Sequence, residues 1–224
     1  AIDNFTAQGG RFVLSSGRPL ASILETREKL GLNFPGTFVI AYNGALVYDC
    51  EQEKSIWEQR VPYNYVKKVL QLSNECDVHA HTYTDNSIIS PKDNEELAYY
   101  REHIHMPAII TDDIISALDK EPFKLILIQL DGKDKLEAFR NTLESRTGDK
   151  LHTFYSSSVY LECCMKEASK GNAIRFLCGH LGIDIKNSIA AGDAANDISM
   201  LQAAGYGVCM CNGTDETKAA ADYV

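Results

Sequence analysis

Short apolar segments alternate with amphipathic ones along much of the chain. Four of them are typical of strands, and a polar or glycine-containing segment closes each: RFVLS at 11–15, FVIAY at 38–42, FKLILIQL at 123–130 and SIAA at 188–191. Near both ends of the chain, a strand, a turn and a helical pattern follow one another. Since this order is typical of parallel sheets covered by helices, the pattern predicts an α/β fold.

Helix boundaries are marked by residues that favour helix ends. A helix is predicted between Pro19 and Gly31, because proline suits a first turn and glycine follows a last one. A second begins after Ser169, a residue type that caps helices, and carries an apolar stripe up to Gly182. The apolar spacing over 197–204 predicts a third helix.

The middle of the chain has a different pattern. It contains the alternating stretch HAHTY at 79–83 and a second strand and helix series over 123–143. We therefore expect an inserted α+β domain at 61–164. The segments 1–60 and 165–224 would then form one discontinuous domain around it.

Composition narrows the class of protein. With 224 residues, 45% of them apolar and 24% charged, the chain is expected to fold. The net charge of -9 argues against non-specific binding to nucleic acid or anionic membranes, because both require clustered cations. No apolar run approaches the roughly 18 residues of a membrane span, and no signal peptide opens the sequence. We expect a cytoplasmic protein.

The seven cysteines agree with a reducing compartment. Their odd number and the spacings of Cys163-Cys164 and Cys209-x-Cys211 do not match a disulfide framework. The second pair could hold a soft metal, but no other pair stands at ligand spacing. We interpret these cysteines as small buried residues.

The strongest local signal is SIAAGDAANDISML, where a strand ends at Gly192-Asp193 and a helix begins near Asn196-Asp197. Asp193 and Asp197 can both reach the cleft at the carboxyl end of a parallel sheet, where such folds bind ligands. Two carboxylates and an amide suit Mg²⁺. Helix capping by aspartate is the alternative interpretation.

A second signal is the turn Ser15-Ser16-Gly17-Arg18, which lies between a strand and a helix. A hydroxyl, a glycine amide and a helix N-terminus together can hold a phosphate, although ordinary turns also favour serine and glycine. Lys170 lies in the first turn of its helix, where the helix dipole disfavours a cation, so an anionic partner is indicated. The alternative is a solvated lysine.

Asn43-Gly44 follows the strand FVIAY. This dipeptide is typical of a tight hairpin turn, which is our main interpretation. These two residues could also contact a substrate.

In chain order, SSGRP, YNGA, SKGNAI and GDAANDISMLQAAGYGV resemble the motifs of the haloacid dehalogenase superfamily, in particular its Cof-type branch of sugar-phosphate and nucleotide-type phosphatases. The match covers both flanks of the chain. The resemblance implies a Rossmann-like parallel-sheet core covered by helices, made of 1–60 and 165–224. The insert 61–164 would be an α+β cap that closes over the site.

The resemblance also implies a role for each motif residue. Ser16, Gly17 and Arg18 would bind the phosphate, and Lys170 would neutralise the charge of phosphate and nucleophile. Together with Asp193, Ser16 and Lys170 would form the catalytic set. The substrate would be a small phosphorylated metabolite.

The remaining motif residues would hold the metal and shape the entrance. Asp193 would ligate Mg²⁺, and Asp197 would do so directly or through water. Asn196 would contact phosphate or position the lysine of the SKGNAI motif. Asn43 and Gly44 would help to shape the substrate entrance.

One family motif is not found. The nucleophile and acid-base pair of the family, Asp-x-Asp-Gly-Thr, ends its first strand, and Asp3-Asn4-Phe5 does not fit it. We expect this aspartate upstream of residue 1, so that these 224 residues alone would be inactive. The alternatives are a non-catalytic phosphometabolite-binding or regulatory protein and a phosphomutase or phosphotransferase of the same superfamily.

Overall fold

The computed structural model describes residues 2–104 and 106–224. Its helices are α1 (Ile2–Ala7), α2 (Leu20–Lys29), α3 (Tyr63–Glu75), α4 (Glu95–His103), α5 (Ile114–Ala117), α6 (Asp134–Thr147), α7 (Lys170–Leu181), α8 (Ile198–Ala203) and α9 (Asp215–Ala219). Its strands are β1 (Val13–Ser15), β2 (Phe38–Ala41), β3 (Leu46–Asp49), β4 (Lys54–Glu58), β5 (His79–Tyr83), β6 (Ile88–Ser90), β7 (Ala108–Ile110), β8 (Lys124–Ile128), β9 (Leu151–Tyr155), β10 (Tyr160–Met165), β11 (Ile189–Gly192) and β12 (Tyr206–Cys209).

The chain divides into two compact units. Unit 1 comprises Ala1–Gln59 and Glu167–Val224, and unit 2 comprises Arg60–Lys166. The ranges 1–60 and 61–164 of the sequence analysis include Ala1 and His105, which lie outside the described residues.

Unit 1 contains two sheets. In the first, β1 pairs with β2 in parallel, and β3 and β4 extend it in antiparallel fashion. In the second, β11 and β12 are parallel. The predicted α/β class is confirmed. The antiparallel extension starts from the hairpin after β2, and its strands β3 and β4 were not among the predicted ones.

Helix α7 packs against both sheets of unit 1. Its Ala173 and Leu177 are buried against Phe38 and Ile40 of β2. Ile174 belongs to this cluster and also to the one formed with Ala190 of β11. The predicted helix start is confirmed, because the Ser169 hydroxyl accepts the Asn172 N–H at 3.1 Å. The predicted end is confirmed by the left-handed backbone of Gly182. Helix α7 thus packs against both β2 and β11, the strands that precede two of the candidate motifs.

Unit 2 is a six-stranded sheet with the order β7-β6-β5-β8-β10-β9. Only the β6 and β7 pair is parallel among its described strands. Helices α3 and α6 bury their apolar residues in one cluster with alternate residues of β5 and β8, such as Ala80 and Leu125. Helix α4 contributes Leu97 and Tyr100 to a second cluster, which contains Tyr83.

Within the described residues, no helix combines the length and the apolar character that crossing a membrane requires.

Candidate functional site

The first part of the candidate site is the turn after β1. The Ser16 N–H donates to the Ile40 carbonyl at 2.9 Å, which extends the pairing of β1 with β2 by one residue. The Ser16 hydroxyl accepts the Arg18 N–H at 3.2 Å. This is the local turn bond that serine commonly makes, and it still leaves the hydroxyl proton for another partner. The Arg18 side chain is exposed.

The second part is the turn between β2 and β3. These strands are antiparallel, so the hairpin interpretation of Asn43-Gly44 is confirmed. Tyr42 and Asn43 have φ values of 49° and 57°, and Gly44 has a φ of 97°. A Cβ atom on Gly44 would lie 2.2 Å from the Ser169 carbonyl oxygen. Only glycine therefore allows this turn to approach the start of α7 so closely.

Asn43 connects this turn to two other candidate segments. Its backbone N–H donates to the Ser16 carbonyl at 3.2 Å. Its side-chain Oδ1 accepts the Asn196 Nδ2 at 2.9 Å. A Cβ atom on Gly17 would lie 2.7 Å from that same Oδ1, so the carboxamide fills the space next to the glycine. Asn43 itself is buried.

Lys170 is the first residue of α7 and is 5% exposed. Its Nζ donates to Asp197 Oδ1 at 2.5 Å. The solvated alternative for this lysine is therefore wrong, because the side chain is buried. The indicated anionic partner is present, and it is an aspartate of the protein itself.

Asp197 also holds the loop that precedes it. Its second oxygen, Oδ2, accepts the N–H groups of Asp193 at 3.1 Å and Ala194 at 3.2 Å. A carboxylate that accepts backbone N–H groups at the start of a helix is what the capping interpretation of this aspartate predicts. A Cβ atom on Gly192 would lie 2.5 Å from the Asp197 Cβ, so the glycine lets the carboxylate fold back under the strand end.

Asp193 presents a different environment, because it is exposed. Its Oδ2 accepts the Asn212 Nδ2 at 3.0 Å. The sequence analysis missed Asn212. The signal for it is the Asn212-Gly213 turn after β12, because the carboxyl ends of parallel neighbours β11 and β12 meet at one edge.

The structure thus joins the motif residues in a chain of contacts within unit 1. Lys170 contacts Asp197, which bonds to the backbone of Asp193. On the other side, Asn43 contacts Asn196 and the backbone of Ser16. Segments that are far apart in sequence therefore form one cluster at the start of α7.

The donor chemistry of this cluster fits Mg²⁺. Mg²⁺ usually takes one or two protein carboxylates and completes its shell with water and substrate oxygens. The exposed Asp193 supplies such a hard oxygen, and the adjacent Asp197 adds a carboxylate whose two oxygens already accept bonds from Lys170 and the loop backbone. The described residues contain no group of three or more His, Cys, Asp or Glu that could hold a metal, so a fully protein-coordinated site is not found there.

Comparisons with known proteins show which family the chain is similar to. A family model described as haloacid dehalogenase-like hydrolase matches residues 1–224. A Streptococcus pyogenes protein provisionally named a phosphatase is 34% identical over 228 residues, which span 100% of this chain and 83% of that protein.

Two solved structures show the same fold. A haloacid dehalogenase-like hydrolase from Bacteroides thetaiotaomicron has a TM-score of 0.87 and 27% identity, covering 98% of this chain and 82% of that one. A sugar phosphatase of haloacid dehalogenase subclass IIB has a TM-score of 0.77 and 23% identity, covering 100% and 82%. At that identity, the second likeness concerns the fold alone. Since the family model spans all 224 residues and the motifs lie in one cluster, the chain belongs to the haloacid dehalogenase-like hydrolases.

Proposed function

We propose that this protein is a Mg²⁺-dependent phosphatase that hydrolyses a small phosphorylated metabolite of the sugar phosphate or nucleotide type. The observation that carries the proposal is the buried Lys170–Asp197 ion pair at the start of α7, with the exposed Asp193 beside it. This arrangement combines a fixed cation with oxygen ligands. Both are needed to stabilise a phosphoryl group during its transfer.

The phosphate would lie between the turn after β1 and the start of α7. The Ser16 hydroxyl and the Gly17 amide would donate hydrogen bonds to it, and the exposed Arg18 would add a cation. Lys170 and the N-terminus of α7 would supply positive charge. Asn43 and Gly44 border this space, because they contact the first turn and the Ser169 carbonyl.

Asp193 and Asp197 would hold the magnesium ion. Asp193 is exposed and would ligate directly, whereas Asp197, which already binds Lys170, would act directly or through water. Bound Mg²⁺ would supply neutralisation of the charge on the phosphoryl oxygens. Asn196 would contact the phosphate or keep Lys170 in place.

The proposed nucleophile is an aspartate upstream of residue 1. Among the described residues, β1 pairs only with β2 and β11 only with β12, and Ile189 of β11 is 73% exposed. Two parallel strands with open edges support the proposal that a further parallel strand lies between them. An aspartate at its carboxyl end would attack phosphorus, the ester oxygen would leave, and water would then cleave the aspartyl phosphate. A second aspartate would act as acid and base.

Unit 2 would be the cap that selects the substrate. Its predicted range, 61–164, is an insert between the second and third motifs, and the observed unit spans Arg60–Lys166. All seven cysteines are free, which supports the proposed cytoplasmic location.

The test compares the natural full-length protein with the 224-residue chain on p-nitrophenyl phosphate, and then on sugar phosphates and nucleotides. We expect full-length protein to hydrolyse these esters with Mg²⁺ and to stop in a chelator. A phosphoryl group that hydroxylamine removes would identify the aspartyl phosphate. The 224-residue chain should be inactive. Turnover by that chain, with contamination excluded, would contradict the assigned nucleophile, and inactive full-length protein would contradict the function.

A further inference from the structure

We infer that Asn43 is a positioning residue of the proposed phosphatase, which acts on the reaction through Asn196 and the turn after β1. This inference rests on the proposed function. Asn43 makes both connections at once, because its backbone N–H donates to the Ser16 carbonyl and its Oδ1 accepts from Asn196. The expected contribution is to the placement of Ser16 and Asn196, and the substrate itself is not contacted.

The backbone at this position is strained. Tyr42 and Asn43 are consecutive non-glycine residues with φ values of 49° and 57°. Asparagine tolerates the left-handed region, but an aromatic residue there is unusual and unfavourable. Such strain persists where surrounding contacts fix the chain. Here the fixing contacts include the bond from the Tyr42 N–H to the Arg18 carbonyl, at 3.1 Å.

The strained turn places Asn43 where a carboxamide fits. Gly17 leaves open the space that its own Cβ would occupy, 2.7 Å from the Asn43 Oδ1 and 2.9 Å from its Nδ2. The glycine on the other side, Gly44, lets the turn touch Ser169 and Lys170. The Asn43 side chain is therefore packed between the proposed phosphate turn and Asn196, and it is 5% exposed.

The backbone preference of the turn alone does not explain why an asparagine occupies position 43. An ordinary two-residue hairpin places its side chains at the surface, where asparagine is chosen for its backbone preference. Asn43 is buried instead, and its side chain bonds to a residue 153 positions away. The backbone N–H of Asn43 holds the turn after β1 and its carboxamide holds Asn196, and both segments would contact the phosphate. Loss of the carboxamide should therefore misplace Asn196 and open the space beside Gly17.

The test is a double-mutant cycle in the natural full-length protein with Asn43→Gly, Asn196→Ala and the double variant. Glycine keeps the left-handed backbone and removes only the carboxamide, so the variant should fold, with a melting temperature lowered by the loss of one buried hydrogen bond and its packing. We expect Asn43→Gly to lower kcat by about 10–100-fold, with KM within about twofold, because small misplacements of positioning groups cost this much. The matched control is Asn33→Gly, at an exposed loop asparagine, which should leave kcat unchanged.

The cycle separates positioning from other roles. If Asn43 acts through Asn196, the double variant should be within about twofold of Asn196→Ala. Independent, multiplying losses would overturn the inference, and so would an unchanged kcat. A raised KM with normal kcat would also overturn it, since that pattern indicates substrate contact.

Failure of the proposed function would look different. Full-length wild-type protein without Mg²⁺-dependent phosphatase activity would contradict that function before any variant is compared. The Asn43–Asn196 link is then read by NMR without turnover. The side-chain amide signal of Asn196 should shift in Asn43→Gly and stay in place in Asn33→Gly, and an unshifted signal in Asn43→Gly would contradict the link.

Discussion

Lys170 and Asp197 form a buried ion pair in which the Nζ to Oδ1 distance is 2.5 Å, and their side chains are 5% and 9% exposed. The lysine begins α7, and the aspartate precedes α8. Two charges are removed from water here, which is costly unless each is well paired and hydrogen-bonded. The two backbone N–H bonds to Asp197 meet this condition on the carboxylate side. We interpret the retained charges as serving the reaction more than stability.

Lys170→Ala in the full-length protein should lower kcat by at least about 100-fold, because a fixed charge aimed at a transition state is commonly worth roughly 3–4 kcal/mol. It should also lower the free energy of unfolding by about 3–5 kcal/mol, since Asp197 would keep a buried charge without its partner. Steady-state kinetics and urea unfolding measure the two effects. A tenfold loss of kcat or less would contradict the role of Lys170.

The matched control is Lys29→Ala, which removes a lysine from an exposed pair with Glu25, at 71% and 63% exposure. Exposed pairs on helices contribute about 0.3–0.5 kcal/mol. This variant should keep full activity.

Asp193→Asn should abolish Mg²⁺-dependent turnover and leave the fold intact. The amide can still accept the bond from Asn212, but it lacks the charge that binds Mg²⁺. Isothermal titration with Mg²⁺ should show lost binding, while circular dichroism stays unchanged. Asp215→Asn, at an exposed aspartate of α9, is the control and should titrate like the wild type. Unchanged metal dependence in Asp193→Asn would support capping as the role of this loop.

The sequence was sufficient to predict the strands and the helix that position the loop with Asp193 and Asp197. Strong apolar runs marked β2, β8 and β11, and Ser169 and Gly182 marked the ends of α7, because capping is a local property. The parallel pairing of β11 with β12 was not predicted, since Tyr206–Cys209 is short and contains a glycine. Without β12, the position of Asn212 could not be derived.

The partner of Lys170 could not be predicted from its local sequence, for a different reason. Its helix position indicated an anionic partner, yet the pattern did not identify that anion and left a solvated lysine as the alternative. Only packing of α7 beside α8 identifies Asp197, which lies 27 residues away. The strain at Tyr42 was hidden as well, because the Asn43-Gly44 signal describes an ordinary hairpin.

Gly44→Ala should destabilise the protein by more than about 1 kcal/mol, because alanine is strained at positive φ. Its Cβ would in addition lie 2.2 Å from the Ser169 carbonyl oxygen. The control variant should change stability in the opposite direction. Gly179→Ala, within α7, has no atom within 4 Å of its Cβ and should stabilise by about 0.5–1 kcal/mol. Thermal unfolding measures the change in melting temperature of both variants. Equal changes would contradict the close approach of the turn to α7.

A chain of buried polar side chains lies on one face of β5. His79 Nε2 is 3.1 Å from His81 Nδ1, and His81 Nε2 is 3.3 Å from the Tyr83 hydroxyl, which bonds to Tyr100. Residues two apart along a strand share a face, as the alternating HAHTY stretch indicates, and these side chains are buried in unit 2.

This chain should make stability depend on pH. Burial lowers the pKa of His79 to about 4, with a further contribution from the charge of Lys92. Burial, with His79 and Lys124, lowers the pKa of His81 well below 6.5. Both histidines are therefore neutral in the folded protein at pH 5, where the unfolded chain protonates them. The unfolded state then binds more protons, so the stabilising contribution is complete above about pH 6.5 and is lost as pH falls towards 4.

His79 should therefore lower the free energy of unfolding by about 1.5 kcal/mol between pH 6.5 and pH 5, since one pKa unit corresponds to about 1.4 kcal/mol, and His81 should act in the same direction. Urea unfolding at several pH values in this window measures the slope. His79→Phe removes one titrating group, so it should reduce the slope whatever its effect on absolute stability. If His79→Phe kept the full slope, the buried chain on β5 would not be the source of the pH dependence.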